Sequence, residues 1–331
     1  GHRLPEYVEL HARIKAGAQK MLYTKNTIYL LTSSGTGGME AAVRNCVGKK
    51  VLHCICGEFG ERWMEISKSN GKEVVPLRVE FGKAIKPEMV DAELAKGGYD
   101  AICVTHSETS SGVMNPVYEI AEVVKKYPDV LLLIDMVSSM AGAKLEVDKL
   151  AVDVAVSSTQ KGFGLPPGFT VMPVSQRALD RAAKVPNRGY YFDFLVFKEF
   201  DAKNQTPTTP SIPHLYALAH QFEKMEKEGI ENRWNRHLEL AKTCRAWAKS
   251  NGFGLFPEPG YEAITLTCID NSAGKVNVAK MNEELAKCGY VISAGYGKLK
   301  DKTFRIAHMG DCTVQELKEL LATIDEVRKK L

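Results

Sequence analysis

The sequence predicts an α/β fold: an open, mainly parallel sheet with helices on both faces, followed by a smaller C-terminal α+β unit. Three observations carry this. Up to about residue 180, short β-rich runs alternate with amphipathic segments, the order in which crossover helices build a parallel sheet. The apolar run over 130–134 ends in Asp135, as a buried strand opening onto a ligand-binding edge does. Residues 186–213 then break the rhythm with Pro186, Gly189, the aromatics Tyr190, Tyr191, Phe192 and Phe194, and finally Pro207, Pro210 and Pro213.

In chain order, strands are expected over 28–32, 50–56, 73–78, 101–105, 130–135, 152–157 and 170–173, where β-branched and apolar residues cluster. Helices are expected over 37–47, 58–70, 86–95, 116–126 and 175–183. Beyond the break come two long helices, 212–229 and 231–250, then a strand over 263–269 and a helix over 276–288. Short strands at 291–293 and 303–307 and a closing helix over 313–331 complete the chain. The passage between the two halves falls within 205–235, giving a large domain over 1–230 and a small one over 231–331.

With 331 residues, 44% apolar and 25% charged, the chain has the composition of a soluble protein with an ample core. A net charge of +4, with lysines and acids interleaved, argues against a nucleic-acid or membrane surface. Of the eight cysteines, Cys54 and Cys56 are spaced wrongly for a zinc knuckle, and no Cys-x-x-Cys occurs, so no metal set is expected. Cys54, Cys56, Cys103 and Cys268 sit in apolar runs and read as small buried hydrophobes in a reducing cytoplasm. No stretch is long enough to span a bilayer and no leader opens the chain, so a cytoplasmic location is expected.

Lys161 is the first candidate for chemistry. It follows the strand-like run Val154-Ala155-Val156 and the hydroxyls Ser157, Ser158 and Thr159, and precedes Gly162-Phe163-Gly164. A lysine partly buried at such a turn favours its neutral amine, which attacks aldehydes to form a Schiff base; a solvated loop lysine is the plain alternative. Asp135, at a strand's C-terminal end, needs a cationic partner such as a pyridinium nitrogen, unless it caps a helix. Ser34-Gly35-Thr36-Gly37 lies between a strand and a helix and suits a phosphate, or is only a turn; it has neither Walker nor dinucleotide-binding spacing. The cluster of hydroxyls over 105–112 can bind a phenolic oxygen. Phe59 can stack on an aromatic ring or pack in the core. Arg305, in the apolar run Phe304-Arg305-Ile306, presents a planar fork to a substrate carboxylate. A lysine, an acid, an anion cradle, a stacking ring and a carboxylate fork make up what pyridoxal 5′-phosphate (PLP) chemistry requires.

Seven stretches then carry a family resemblance: 1–7, 34–42, 57–63, 135–139, 158–162, 166–169 and 304–310. They resemble the class V PLP-dependent aminotransferases of the alanine–glyoxylate and serine–glyoxylate (serine–pyruvate) type. The resemblance implies PLP fold type I, with a seven-stranded mainly parallel sheet, a small C-terminal α+β domain and a homodimer sharing its active sites. It implies Lys161 as the Schiff-base lysine and proton carrier, Asp135 on the ring nitrogen, and Val137 and Phe59 on the two ring faces. Thr109 would meet the phenolic oxygen, and Ser34, Gly35, Thr36 and Gln160 the phosphate. Gln205 and Thr208 would reach the partner's phosphate, and Arg305 would hold the substrate carboxylate. Phe59 stands where the family usually has tryptophan, and Gln205 where it often has tyrosine. The family's Gly-Pro segment, which lines the substrate pocket, belongs ahead of Gly1 and is absent from this sequence.

The implied reaction moves an amino group from serine or alanine to glyoxylate or pyruvate. A phosphoserine aminotransferase is the alternative, with His2, Arg3 and Arg188 as candidate phosphate cations. It is weakened by the stretch 297–302, which lacks the His-Arg pair of that family. A lyase of the cysteine desulfurase kind would need a histidine where Gln160 stands and a mobile catalytic cysteine, for which neither Cys268 nor Cys288 is well placed.

Overall fold

A computed structural model describes all 331 residues. Helix α1 (Pro5–Met21) leads into β1 (Thr27–Leu31), α2 (Gly35–Cys46), β2 (Lys50–Ile55), α3 (Glu58–Ser69), β3 (Glu73–Arg78), α4 (Pro87–Leu94) and β4 (Ala101–Thr105). A small hairpin, β5 (Ser107–Glu108) and β6 (Val113–Met114), precedes α5 (Val117–Val124), β7 (Leu131–Asp135), the single turn α6 (Val147–Leu150), β8 (Val154–Val156) and β9 (Thr170–Val174). Then follow α7 (Gln176–Ala182), α8 (Phe194–Asp201), α9 (Ile212–Glu228), α10 (Ile230–Ser250), β10 (Leu266–Asp270), α11 (Val278–Lys287), β11 (Ser293–Ala294), β12 (Thr303–Ala307) and α12 (Val314–Arg328).

The main sheet has seven strands, the number the resemblance implies, in the order β1-β9-β8-β7-β4-β2-β3. The β2–β3, β2–β4, β4–β7 and β7–β8 pairs are parallel; β9 alone runs against both of its neighbours. The sheet's two faces are read off β7. Leu132 and Ile134 enter the core with α1, α4, α5 and α9, whereas Leu131 and Leu133 enter the opposite core with α2, α7 and α8. Edge strand β3 carries Pro76, tolerated there because no strand follows it to accept a donor. Beyond α9, the three antiparallel strands β10-β12-β11 form a second sheet whose core is shared with α10, α11 and α12.

Strand and helix positions match the expected runs to within a few residues at each end, and 303–307 is matched in full. Three helices lay outside those expectations, the single turn α6 and two longer ones. α1 buries Tyr7, Leu10, Ile14, Ala18 and Met21, a three–four stripe opened by Pro5 and Glu6, and packs along α9. α8 falls inside the 186–213 break; Asp193 caps it by accepting from Leu195 N at 2.9 Å. Proline-rich flanks hid that helix because its own run is short and almost continuously apolar. No helix is long and apolar enough to cross a membrane.

Candidate active site

Five parallel-running strands (β1, β2, β4, β7, β8) end at the same edge of the sheet, and the segments that follow them meet there. They enclose a cleft of about 340 Å³. Ser34, Gly35, Thr36, Phe59, Thr109, Asp135, Val137, Gln160 and Lys161, the nine candidates expected around one cofactor, all line it. Met39, Arg62 and Ser138 join them without having been singled out from the sequence.

Asp135 is the last residue of β7, and Lys161 lies in the loop after its neighbour β8. Burial holds the Lys161 amine below the ordinary lysine range, Arg305 pushes the same way, and Asp135 opposes both. The Asp135 carboxyl, 4% exposed, is pushed up to about 7 by burial, against one backbone hydrogen bond from Val137 N at 2.8 Å. Glu108 pushes it further up, while Lys161 and Arg62 pull it down. Asp135 caps no helix, because residues 136–142 are turns. The lysine's backbone is confined as well: a Cβ on Gly162 would lie 2.1 Å from the Met140 carbonyl oxygen, so only glycine passes.

α2 begins at Gly35, two residues earlier than expected, so the glycine-rich run is itself the first helical turn. Ser34 makes no side-chain cap, which leaves the N-terminal amides of α2 facing the cleft. A Cβ on Gly35 would sit 2.7 Å from Val137 Cγ2, so glycine is what allows helix and Asp135 loop to touch. Opposite, Gln160 Oε1 accepts from Ser158 Oγ at 2.5 Å, and Thr109 Oγ1 pairs with Ser138 Oγ at 2.5 Å.

Phe59 is positioned by a residue that sequence reasoning missed. Glu108 is wholly buried and accepts from Phe59 N and Gly60 N, both at 3.1 Å, and from Ser110 N and Oγ. It thereby caps α3, and burial raises its carboxyl above the usual range in spite of these bonds. Only its place within a hydroxyl-rich run hinted at this. Tyr296, from the segment between β11 and β12, stacks on Phe59 at 5.6 Å and 8°. Arg305 Nη1 donates to Thr109 O at 3.0 Å, while its Nε and Nη2 donate to Ala294 O, so it sits at the rim of the cleft. Gln205 and Thr208 are half-buried between α8 and α9 and do not line this cleft.

The candidates for the alternative readings are occupied elsewhere. Arg188 is used by Asp193 and by the carbonyls of Ala182 and Val185; Arg3 donates to the carbonyls of Thr206 and Pro207. His2 does not line the cleft. Cys268 is 2% exposed with its thiol raised by burial to about 12, unsuited to nucleophilic sulfur chemistry, and Cys288 is exposed at the end of α11.

Residues 3–297 match the family described as aminotransferase class V. The chain belongs to that family. An uncharacterised aminotransferase of Methanocaldococcus jannaschii is 38% identical, over all of this chain and 87% of that protein. A serine–glyoxylate aminotransferase of Methylorubrum extorquens is 31% identical, over 94% of this chain and 80% of its own length. Among solved structures, an aspartate aminotransferase of Thermus thermophilus superimposes with a TM-score of 0.91 at 29% identity, over 99% of this chain and 92% of that one. The protein is a PLP-dependent aminotransferase of fold type I.

The residues present fit that cofactor. A carboxyl buried to a raised pKa is short of a cation, which a protonated ring nitrogen would supply. The uncapped first turn of α2 is short of an anion, which a phosphate supplies.

Proposed function

We propose that the protein transfers an amino group between a small amino acid and a 2-oxo acid of glyoxylate or pyruvate size, with Lys161, Asp135 and Arg305 as its working groups. What carries this reading is the pairing of Lys161 and Asp135 at the ends of adjacent strands in one cleft. The resemblance in sequence suggests serine or alanine as donor. The relatives are named for serine with glyoxylate in one case and for aspartate in another, so glyoxylate is the favoured acceptor and the donor is a choice among small amino acids.

When bound, PLP supplies an electron sink for charge developing at the donor's Cα. Asp135, ionised once a cation faces it, holds the ring nitrogen protonated and so keeps that sink open. Lys161 Nζ, first the site of attachment, takes the proton from the donor's Cα as a neutral amine, a state its burial and the Arg305 charge both favour. Arg305 orients the donor by its α-carboxylate, with Thr109 O and Ala294 O fixing the guanidinium plane. Ser34, Gly35, Thr36 and Gln160 would hold the phosphate, Thr109 would meet the phenolic oxygen, and Val137 and Phe59 would flank the ring.

On this reading residues 1–230 are the cofactor-binding domain and 231–331 the small domain that carries Arg305. We place Gln205 and Thr208 at the second cleft of a homodimer, consistent with their lying off their own. Six buried and unpaired cysteines support a reducing, cytoplasmic setting. The test is a half-reaction: the visible absorbance of the cofactor-loaded protein should bleach with an amino donor and return with glyoxylate. Lys161→Ala should lack that absorbance, and an unchanged spectrum in the variant would sink the assignment.

A further inference from the structure

Arg62 lies three residues after Phe59 on α3, so both project toward the cleft from one helix face. Its Nη2 donates to Tyr296 Oη at 2.8 Å, and its guanidinium carbon sits 4.9 Å from the centre of the Phe59 ring. No carboxylate lies within 4 Å of it. The adjacent Glu61 is gripped by Arg78 at 3.1 and 2.9 Å and faced by Lys298 at 3.9 Å. Arg305 is in the same condition, since its hydrogen bonds go to carbonyl oxygens alone. Tyr296 links the two: its hydroxyl receives Arg62, and its ring centre lies 5.9 Å from the Arg305 guanidinium carbon. Two half-buried guanidiniums, neither in a direct ion pair with a protein carboxylate, therefore meet around one tyrosine at the mouth of the cleft.

A single arginine suffices for the α-carboxylate that every amino acid carries. A second one, partly stripped of water and left without counter-charge, calls for a second anion. We propose that Arg62 binds a side-chain carboxylate, so that the amino donor is a dicarboxylic amino acid, held by Arg305 at its α-carboxylate and by Arg62 at its far end. A side-chain phosphate fits less well. Its higher charge asks for several cations, and Arg3 and Arg188 are already committed to carbonyls and to Asp193. The proposal rests on the transaminase reading, but one of its measurements does not depend on turnover.

The experiment compares the cofactor-loaded wild type with Arg62→Gln. Bleaching of the visible absorbance is followed with aspartate, glutamate, alanine, serine and phosphoserine, and maleate and acetate binding are measured by calorimetry. Aspartate or glutamate should be the best donor in the wild type. Arg62→Gln should lower kcat/KM for that donor by about ten- to a hundredfold, the worth of a charged hydrogen bond, with alanine and serine changed less than about twofold. Maleate should bind the wild type at least about tenfold more tightly than acetate does, and the variant should lose that margin. Equal losses for every donor would make Arg62 merely structural and overturn the proposal. So would a preference for alanine, serine or phosphoserine, or maleate binding that ignores the substitution. Failure of every amino acid to bleach the protein would instead strike the transaminase reading, and the maleate result would still decide the role of Arg62.

Discussion

Asp135 offers a quantitative check on the site through the cofactor-free protein. Its carboxyl titrates at about 7 when folded and near 3.8 when unfolded. A buried acid of this kind binds its proton more tightly in the native state, so acid favours folding. That advantage is lost as pH rises through the window between the two values, and above about 7 the penalty levels off. Asp135→Asn keeps the acceptor for Val137 N but has no proton to lose. Urea denaturation of both cofactor-free proteins should therefore give a stability difference that moves in favour of the variant. The slope is about 1.4 kcal/mol per pH unit below the folded value and half that at it, or roughly 2.3 kcal/mol between about pH 5 and pH 7. Of the groups around it, Glu108 is also pushed up and His106 is pushed down to about 4, while the charges of Lys161 and Arg62 act to favour the Asp135 carboxylate. All are shared by both proteins, so the difference between the two isolates Asp135. PLP should remove the effect in the wild type by supplying the missing cation. A difference that stays flat from about pH 5 to pH 8 would refute the reasoning, because Asp135 would then be ionised throughout.

Other expectations follow from close contacts. Gly35→Ala forces a Cβ to within 2.7 Å of Val137 Cγ2; it should weaken cofactor retention, measured by dialysis against buffer, far more than it lowers thermal stability. Arg233, whose side chain is 1% exposed, donates to the carbonyls of Ala141 and Gly162 and pairs with Glu228 and Asp311. Arg233→Ala should cost about 1–3 kcal/mol in urea denaturation, because it leaves the buried Ala141 and Gly162 carbonyls without their donor. Glu108→Ala leaves the Phe59 and Gly60 amides of α3 without their acceptor; it should lower stability by about 1–2 kcal/mol, read from the same denaturation curves.

The residues that were legible in the sequence share one property: each has a chemistry unusual for its local pattern. Lys161 in a strand-to-glycine turn, Asp135 after an apolar run and Arg305 within one are conspicuous because burying them is costly. Arg62 and Glu108 are no less buried in purpose, but they occupy ordinary places, a charged residue in an amphipathic helix and an acid among hydroxyls. Only tertiary contact, with Tyr296 in one case and the α3 amides in the other, sets them apart. α1 went unread for a different reason. Its stripe of Tyr7, Leu10, Ile14, Ala18 and Met21 includes weakly apolar members, and its burial comes from α9, about two hundred residues later in the chain. The reversal of β9 has no local signature, since periodicity reports which face is buried but not which way the strand runs.

That reversal bears on how the site works when it moves. The segment carrying Lys161 joins β8 to its own antiparallel neighbour, and is laced across itself by Thr159 N to Phe169 O at 3.0 Å, Thr159 Oγ1 to Pro166 O at 2.8 Å and Ser157 Oγ to Val171 O at 2.5 Å. It behaves as the tip of a stiff ribbon, anchored at both ends in the sheet. The loops after β1 and β2 instead feed helices, which can slide over the sheet. The amine is thus held by the main sheet alone, whereas Arg305 comes from the second sheet and is tied to the cleft through Thr109 O.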